Sequence, residues 1–247
     1  MRRGPFLVAL LAALAAVILP AKAQEPLVAD LSKHLVAITT GFAGTDVLLF
    51  GAVDEPGDVV VVVRGPARAE IVRRKERAGG IWVNTGSATV ENAPMFYGLA
   101  ATRPLDEIAS PAVLDRHQIG FRHLDLRIVS EDQVSKSDYR DALIRLKKRR
   151  SLYSDVVLPI NFLGQRLFRT EMHFPSNVPV GTYSVEVYLF KNGEVVSAQT
   201  TPLIISKIGV GAEVFDFAHQ QGPIYGIIAI ILAVSAGWLA ATAFRKG

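Results

Sequence analysis

Three textures of apolar patterning succeed one another along the chain. Phe6 to Leu19 and Tyr225 to Phe244 are nearly unbroken apolar runs, and Arg103 to Tyr153 shows helical spacing. The remainder holds short runs rich in Val, Ile and aromatics, parted by turn formers, which is the pattern of strands rather than of a helical bundle.

The first strands are predicted at His34 to Thr40, Asp46 to Val53 and Val59 to Arg64, with Asp54-Glu55-Pro56-Gly57-Asp58 as a turn. Five consecutive valines, 59 to 63, call for a strand that is central or covered on both faces. Ala69 to Arg77 carries Arg73, Arg74, Lys75 and Arg77, after Arg68, among few acids. It reads either as a patch for an anionic ligand or, the preferred reading, as a charged edge strand that resists pairing with a neighbour. Gly79-Gly80 then turns the chain into Ile81-Trp82-Val83-Asn84, and Ala93-Pro94 leads into Met95 to Thr102.

Strands resume at Val156 to Phe162 and Leu167 to Phe174. Within Gly181 to Ser206, Asn192-Gly193 favours a two-residue type I′ turn pairing Leu189 with Val196, Val187 with Ala198 and Val185 with Thr200. That register places Ser184, Glu186, Val195, Ser197 and Gln199 on the other face.

In the helical stretch Ser110 is a candidate N-cap with Pro111 at the first helical position. A longer helix is predicted from about Lys136 to Leu152, where Ser135 and Asp138 have capping-box spacing and Tyr139, Leu143, Ile144 and Leu146 share a face. Lys147-Lys148-Arg149-Arg150 fall in its last turns, where cations suit the negative end of a helix dipole.

Tyr225 to Phe244 holds 20 residues without a carboxylate, amine or imidazole, and as a helix spans about 30 Å, one hydrocarbon core. Gly222-Pro223 opens it, Arg245-Lys246 closes it, and Tyr225 and Trp238 sit near its ends. Met1 to Ala23 is built as a secretory signal: Arg2-Arg3, an apolar core, Pro20, then the small-x-small triplet Ala21-Lys22-Ala23 before Gln24. The expected organisation is a signal peptide 1–23, a periplasmic β-sandwich domain 24–210 with a helical insertion at about 103–153, a juxtamembrane linker 211–224, a transmembrane helix 225–244 and a cytoplasmic tail 245–247. The expected fold is mainly β, an immunoglobulin-like β-sandwich followed by one C-terminal transmembrane helix. Two smaller β domains are the alternative.

Charge narrows the partners. The formal net charge is +4, but Arg2, Arg3, Lys22, Arg245 and Lys246 flank the terminal apolar segments. Without those five, 22 of the 27 basic side chains remain against 23 acidic ones, a formal charge of −1, so global attraction to nucleic acid is not expected. The absence of cysteine excludes disulfides, thiolate metal sites and a cysteine nucleophile. The five histidines, 34, 117, 123, 173 and 219, form no i, i+4 pair; His117 with His123 around a turn, or Met172-His173 toward copper, are the available metal readings. No nucleophile elbow, phosphate-cradling loop or zinc-hydrolase helix occurs. Asp106-Glu107 and Glu131-Asp132 read as caps rather than acid and base partners. No catalytic residue, cofactor or metal site is therefore expected, and the chain does not read as an enzyme. Ala233, Gly237 and Ala241, spaced by four in the apolar segment, make one side slim enough for another helix to approach, and are the candidate partner-binding residues.

Ala37-Ile38-Thr39-Thr40-Gly41-Phe42, Val47 to Ala52, Val59 to Pro66, Arg73 to Arg77 with Gly80 to Asn84, Gly181 to Lys207, Asp216-Phe217-Ala218-His219 and Gly237-Trp238 together resemble an alphaproteobacterial family of transmembrane proteins of unknown function. The resemblance implies a Gram-negative inner membrane and periplasm and supplies no catalytic residues. The cleaved signal together with Arg245-Lys246 directly after the span predicts a single crossing, with the N-terminal domain periplasmic and the C-terminus cytoplasmic. The functional expectation is an accessory or scaffolding module held at the inner membrane lipid bilayer that binds an integral membrane partner, such as a permease. The alternative is a periplasmic ligand- or metal-binding module, favoured if His117, His123 or Met172 cluster.

Overall fold

A computed structural model of the chain describes residues 26–130, 135–154, 156–209 and 217–244. The expected signal segment 1–23, Glu131-Asp132, Asp216 and the Arg245-Lys246 flank lie outside the described residues.

Turn formers cut the first part of the chain into β1 (Leu27–Leu31), β2 (Leu35–Ile38), β3 (Gly44–Val53), β4 (Asp58–Arg64), β5 (Ala67–Ala78), β6 (Ile81–Pro94) and β7 (Tyr97–Ala101). Next come α1 (Leu105–Ile108), α2 (Pro111–His117), a 3-10 turn at Phe121–His123, β8 (Arg127–Ser130) and α3 (Lys136–Arg149). The chain ends with β9 (Leu158–Pro159), β10 (Asn161–Leu163), β11 (Leu167–Pro175), β12 (Gly181–Lys191), β13 (Glu194–Lys207) and α4 (Gly222–Phe244).

The strands form a four-stranded sheet β1-β3-β11-β10, a six-stranded sheet β2-β13-β12-β4-β7-β9 and a three-stranded sheet β5-β6-β8. The first two pack face to face. Leu31, Val47, Leu49, Met172 and Phe174 on one meet Val61, Val63, Val185 and Leu203 on the other. Gly98 of β7 is required here, because a Cβ would stand 2.5 Å from the Met172 sulfur. Gln199 of β13 stitches the sandwich at its margin: its Oε1 accepts from Ala29 N at 2.7 Å and its Nε2 donates to Ala29 O at 2.8 Å, so a side chain satisfies backbone groups on the outer edge of β1.

The opposite face of the six-stranded sheet is covered by the helical segment. Alternation turns Val60 and Val62 away from the sandwich, alongside Leu99, which meets Leu105, Leu114 and Phe121. Valines 59 to 63 are consequently all buried, being both central and covered on both sides. The third sheet is a long β5–β6 hairpin with β8 beside its base, and β5 is its edge, as the charge pattern indicates.

Several expectations need correction. Asn192 and Gly193 adopt φ of 52° and 83°, a type I′ turn, and Lys191 faces Glu194 as the turn requires. A β-bulge at Val196 then slips the register by one, so Leu189 opposes Ser197, Val187 opposes Gln199 and Val185 opposes Thr201. The slip turns Leu203 and Ile205 into the core and leaves Val196 and Ile204 exposed. Val156 to Phe162 is not one strand: Leu158–Pro159 pairs with β7 and Asn161–Leu163 with β11, because the chain crosses between sheets at Ile160, next to a proline with no N–H to donate. The sequence pattern does not single out β1, β8 or the continuation of β6 from Asn84 to Pro94. In α3, Tyr139 and Leu143 are buried, but Leu146 is exposed and Lys147 takes the inner place, one four-residue step beyond Leu143. The apolar helix begins at Gly222, three residues before Tyr225, with Pro223 in its first turn where a missing N–H costs nothing.

Candidate functional site

A part-buried polar cluster lies where the helical segment docks. Arg64 at the end of β4, Tyr97 at the start of β7, and Glu186 and Tyr188 on β12 share the outer face of the six-stranded sheet. Arg64 Nη1 donates to Glu186 Oε2, which also accepts from the Tyr188 hydroxyl at 2.6 Å, while Ser184 Oγ donates to Oε1 at 3.1 Å. Arg64 Nη2 donates to the carbonyls of His117 at 2.8 Å and Gln118 at 3.1 Å. Tyr97 Oη donates to Gln118 O at 3.2 Å and accepts from Gly120 N at 2.7 Å. The group holds the C-terminal end of α2 against the sheet.

Burial pushes the Glu186 carboxyl up, but the bonds from Arg64 and Tyr188 and the Arg64 charge outweigh it, and its pKa ends below the ordinary value. Burial lifts the Tyr97 and Tyr188 phenols to about 12, with Glu186 adding to the shift at Tyr188. Both carboxylate oxygens have donors from the surrounding strands, so the arrangement is that of a clamp.

A cleft of about 830 Å³ opens beside it, between the β3–β4 turn, α1, the start of α2 and the Phe190–Gly193 hairpin tip. Most of its charged side chains are paired. Arg103 grips Asp58 with two nitrogens, Nε at 2.8 Å from Oδ1, and lies 3.6 Å from Glu107. The Arg103 bond holds Asp58 below the usual carboxylate range despite burial. Lys191 pairs with Glu55. His123 lines the cleft with Nδ1 2.6 Å from Asp115 Oδ1.

The residues singled out for metal do not converge. His117 packs its ring on Tyr188 at 5.3 Å, Met172 is buried between the sheets, and His173, pointing the other way from β11, meets Asp46 at 2.6 Å. Among the described residues no three ligating side chains form a group. Asp106 and Glu107 fall in the first turn of α1, where carboxylates suit the helix dipole, but the N-cap position is Pro104 and no side chain makes a capping bond there.

Gly222–Thr242 has mean hydropathy 2.2 and is unburied throughout. Ala233, Gly237 and Ala241 follow one another at every fourth residue of α4, and among the described residues nothing beyond the adjoining turns of the helix lies within 4 Å of the place a Gly237 Cβ would occupy. The Ser235 and Thr242 hydroxyls fold back onto the helix, Ser235 to Ile231 O at 2.7 Å and Thr242 to Leu239 O at 2.9 Å, so neither presents an unsatisfied donor to lipid.

Residues 26–246 match the family described as "Putative transmembrane protein (Alph_Pro_TM)", nearly the whole chain. The chain belongs to that family. None of the curated proteins matches it. Within this Alph_Pro_TM member, α4 is the one helix among the described residues long and apolar enough to cross a membrane, and it makes the chain a membrane-anchored protein. The Arg64–Glu186 clamp was not legible beforehand: alternation on β12 assigns Glu186 to an outer face, and only the docked helices make that face interior.

Proposed function

We propose that this protein is an accessory or scaffolding module that presents its β domain at a membrane and binds an integral membrane partner, a transporter being the type case. The observation that carries the reading is α4, unburied along its length and slim along Ala233, Gly237 and Ala241. Affinity purification of the full chain in mild detergent, followed by mass spectrometry, tests it. A stoichiometric membrane protein that is lost in Gly237→Ile supports the reading, and purification of the chain alone overturns it.

The β domain is proposed to be immunoglobulin-like. The order β1-β3-β11-β10 corresponds to strands A-B-E-D of that fold, and β13-β12-β4-β7 to G-F-C-C′. Tyr183, near the start of β12, donates its hydroxyl to Pro179 O at 2.6 Å, the bond of a tyrosine corner. β5–β6 and the helical segment are then insertions on either side of C′. The location proposed is the inner membrane, with a cleaved signal 1–23, a periplasmic domain and a cytoplasmic C-terminus. Arg245-Lys246 directly after the span supports that orientation.

A further inference from the structure

We infer that the β5–β6 hairpin is a second membrane contact, a basic, tryptophan-tipped arm that docks on the surface of an anionic bilayer. Beyond its base, where β8 and Lys147 meet it, residues 73–87 form a two-stranded projection about 20 Å long, turned by Gly79-Gly80 at φ of 58° and 88°. Its two faces differ. Odd positions of β5 place Ile71, Arg73, Lys75 and Arg77 on one face, with Trp82 directly across from Arg77 and Thr89 across from Ile71. All four β5 residues are exposed, and among the described residues none of the three cations is in an ion pair. Glu70 and Glu76 lie on the opposite face, where Glu70 takes Lys147 and Glu76 takes Arg74.

Edge protection accounts for cations on β5. It does not account for Trp82 and Ile81 on the partner strand, 68% and 66% exposed beside the turn, nor for Ile71 at 61%. Cations flanking an exposed indole suit a membrane interface, where the ring sits at headgroup depth and the charges meet anionic lipid. A bilayer is within reach, because residues 208–221 between β13 and α4 span at most about 50 Å fully stretched. A polynucleotide suits the arm less well, since it offers no apolar layer for the exposed Ile71 and Ile81 to enter.

The chain has two tryptophans, so Trp238→Phe leaves Trp82 as the sole reporter in the full-length protein. The variant is reconstituted into bilayers of phosphatidylcholine with or without phosphatidylglycerol, some carrying lipid brominated high on the acyl chain. In the anionic bilayer Trp82 emission should shift to the blue and be quenched by bromine, and high salt should reverse both. In phosphatidylcholine alone it should emit as an exposed indole. Each cation near an anionic surface favours docking about fivefold, so neutralising Arg73, Lys75 and Arg77 to Gln should lower the docked fraction relative to undocked about a hundredfold. If the triple variant melts early, salt reversal in the parent decides the matter. An exposed indole in both bilayers, equal shielding in both, or shielding that appears only on adding polynucleotide or a membrane protein extract overturns the inference.

Discussion

At the scale of single residues, Arg64 and Glu186 carry most of the consequence. Each side chain is 17% exposed; Glu186 takes its donors from β4 and β12 of one sheet, and Arg64 joins it to the His117 and Gln118 carbonyls of the helical segment, so losing either leaves the other buried and short of bonds. Arg64→Ala should cost about 3 kcal/mol in denaturant unfolding. Arg64→Lys should recover only part of it, because an ammonium lacks the fork that reaches Glu186 and two carbonyls together. The pH dependence follows from the direction of the Glu186 shift. Unfolded, the carboxyl titrates near 4.5, and folded it titrates lower, so its contribution is complete above 4.5 and is lost as pH falls through the folded value. The melting temperature should decline below about pH 4.5, and Glu186→Gln should flatten that decline. Lys147, 4% exposed with Nζ 2.6 Å from Glu70 Oε1 and 3.8 Å from Met95 Sδ, is a second buried cation that ties α3 to the third sheet.

At the scale of elements, turn chemistry dominates. Gly193 sits at φ 83°, where a β-branched side chain is strained, so Gly193→Val should destabilise the protein by about 1–3 kcal/mol in thermal melts. The bulge after that turn is invisible to alternation, since Val196, Ala198 and Thr200 are as apolar as Ser197, Gln199 and Thr201 are small or polar. What selects the observed register is farther along, where Leu203 and Ile205 must face the core. For α3, spacing found the helix and its Ser135 cap, whose Oγ accepts from Ser137 N at 3.3 Å, but misjudged one flank. Leu143→Glu should unfold the domain, whereas Leu146→Glu should leave the melting temperature within a degree or two, because Leu146 already faces solvent.

At the scale of the whole molecule, a β domain and a lone unburied helix are joined by a short connection, so the partners of each are separable. Gly237→Ile should abolish capture of a membrane protein without moving the melting temperature of the β domain, since no described residue outside the helix touches that position. Alkaline phosphatase or a fluorescent protein fused after Gly247 should report a cytoplasmic C-terminus through fluorescence with no phosphatase activity, and the opposite pattern would reverse the proposed orientation.

The membrane helix, the Asn192-Gly193 turn, the valine strand and the charged edge of β5 were all determined by the sequence itself. Each depends on local properties: unbroken hydropathy, positive-φ tolerance, period and charge. The slip at Val196, the clamp around Glu186, the inward Lys147 and the split of Val156 to Phe162 between two sheets were decided only by tertiary structure. In each, a residue with a local preference for solvent or for one register meets a surface contributed by distant parts of the chain. A polar group paired across layers is interior for reasons that its sequence neighbours do not contain.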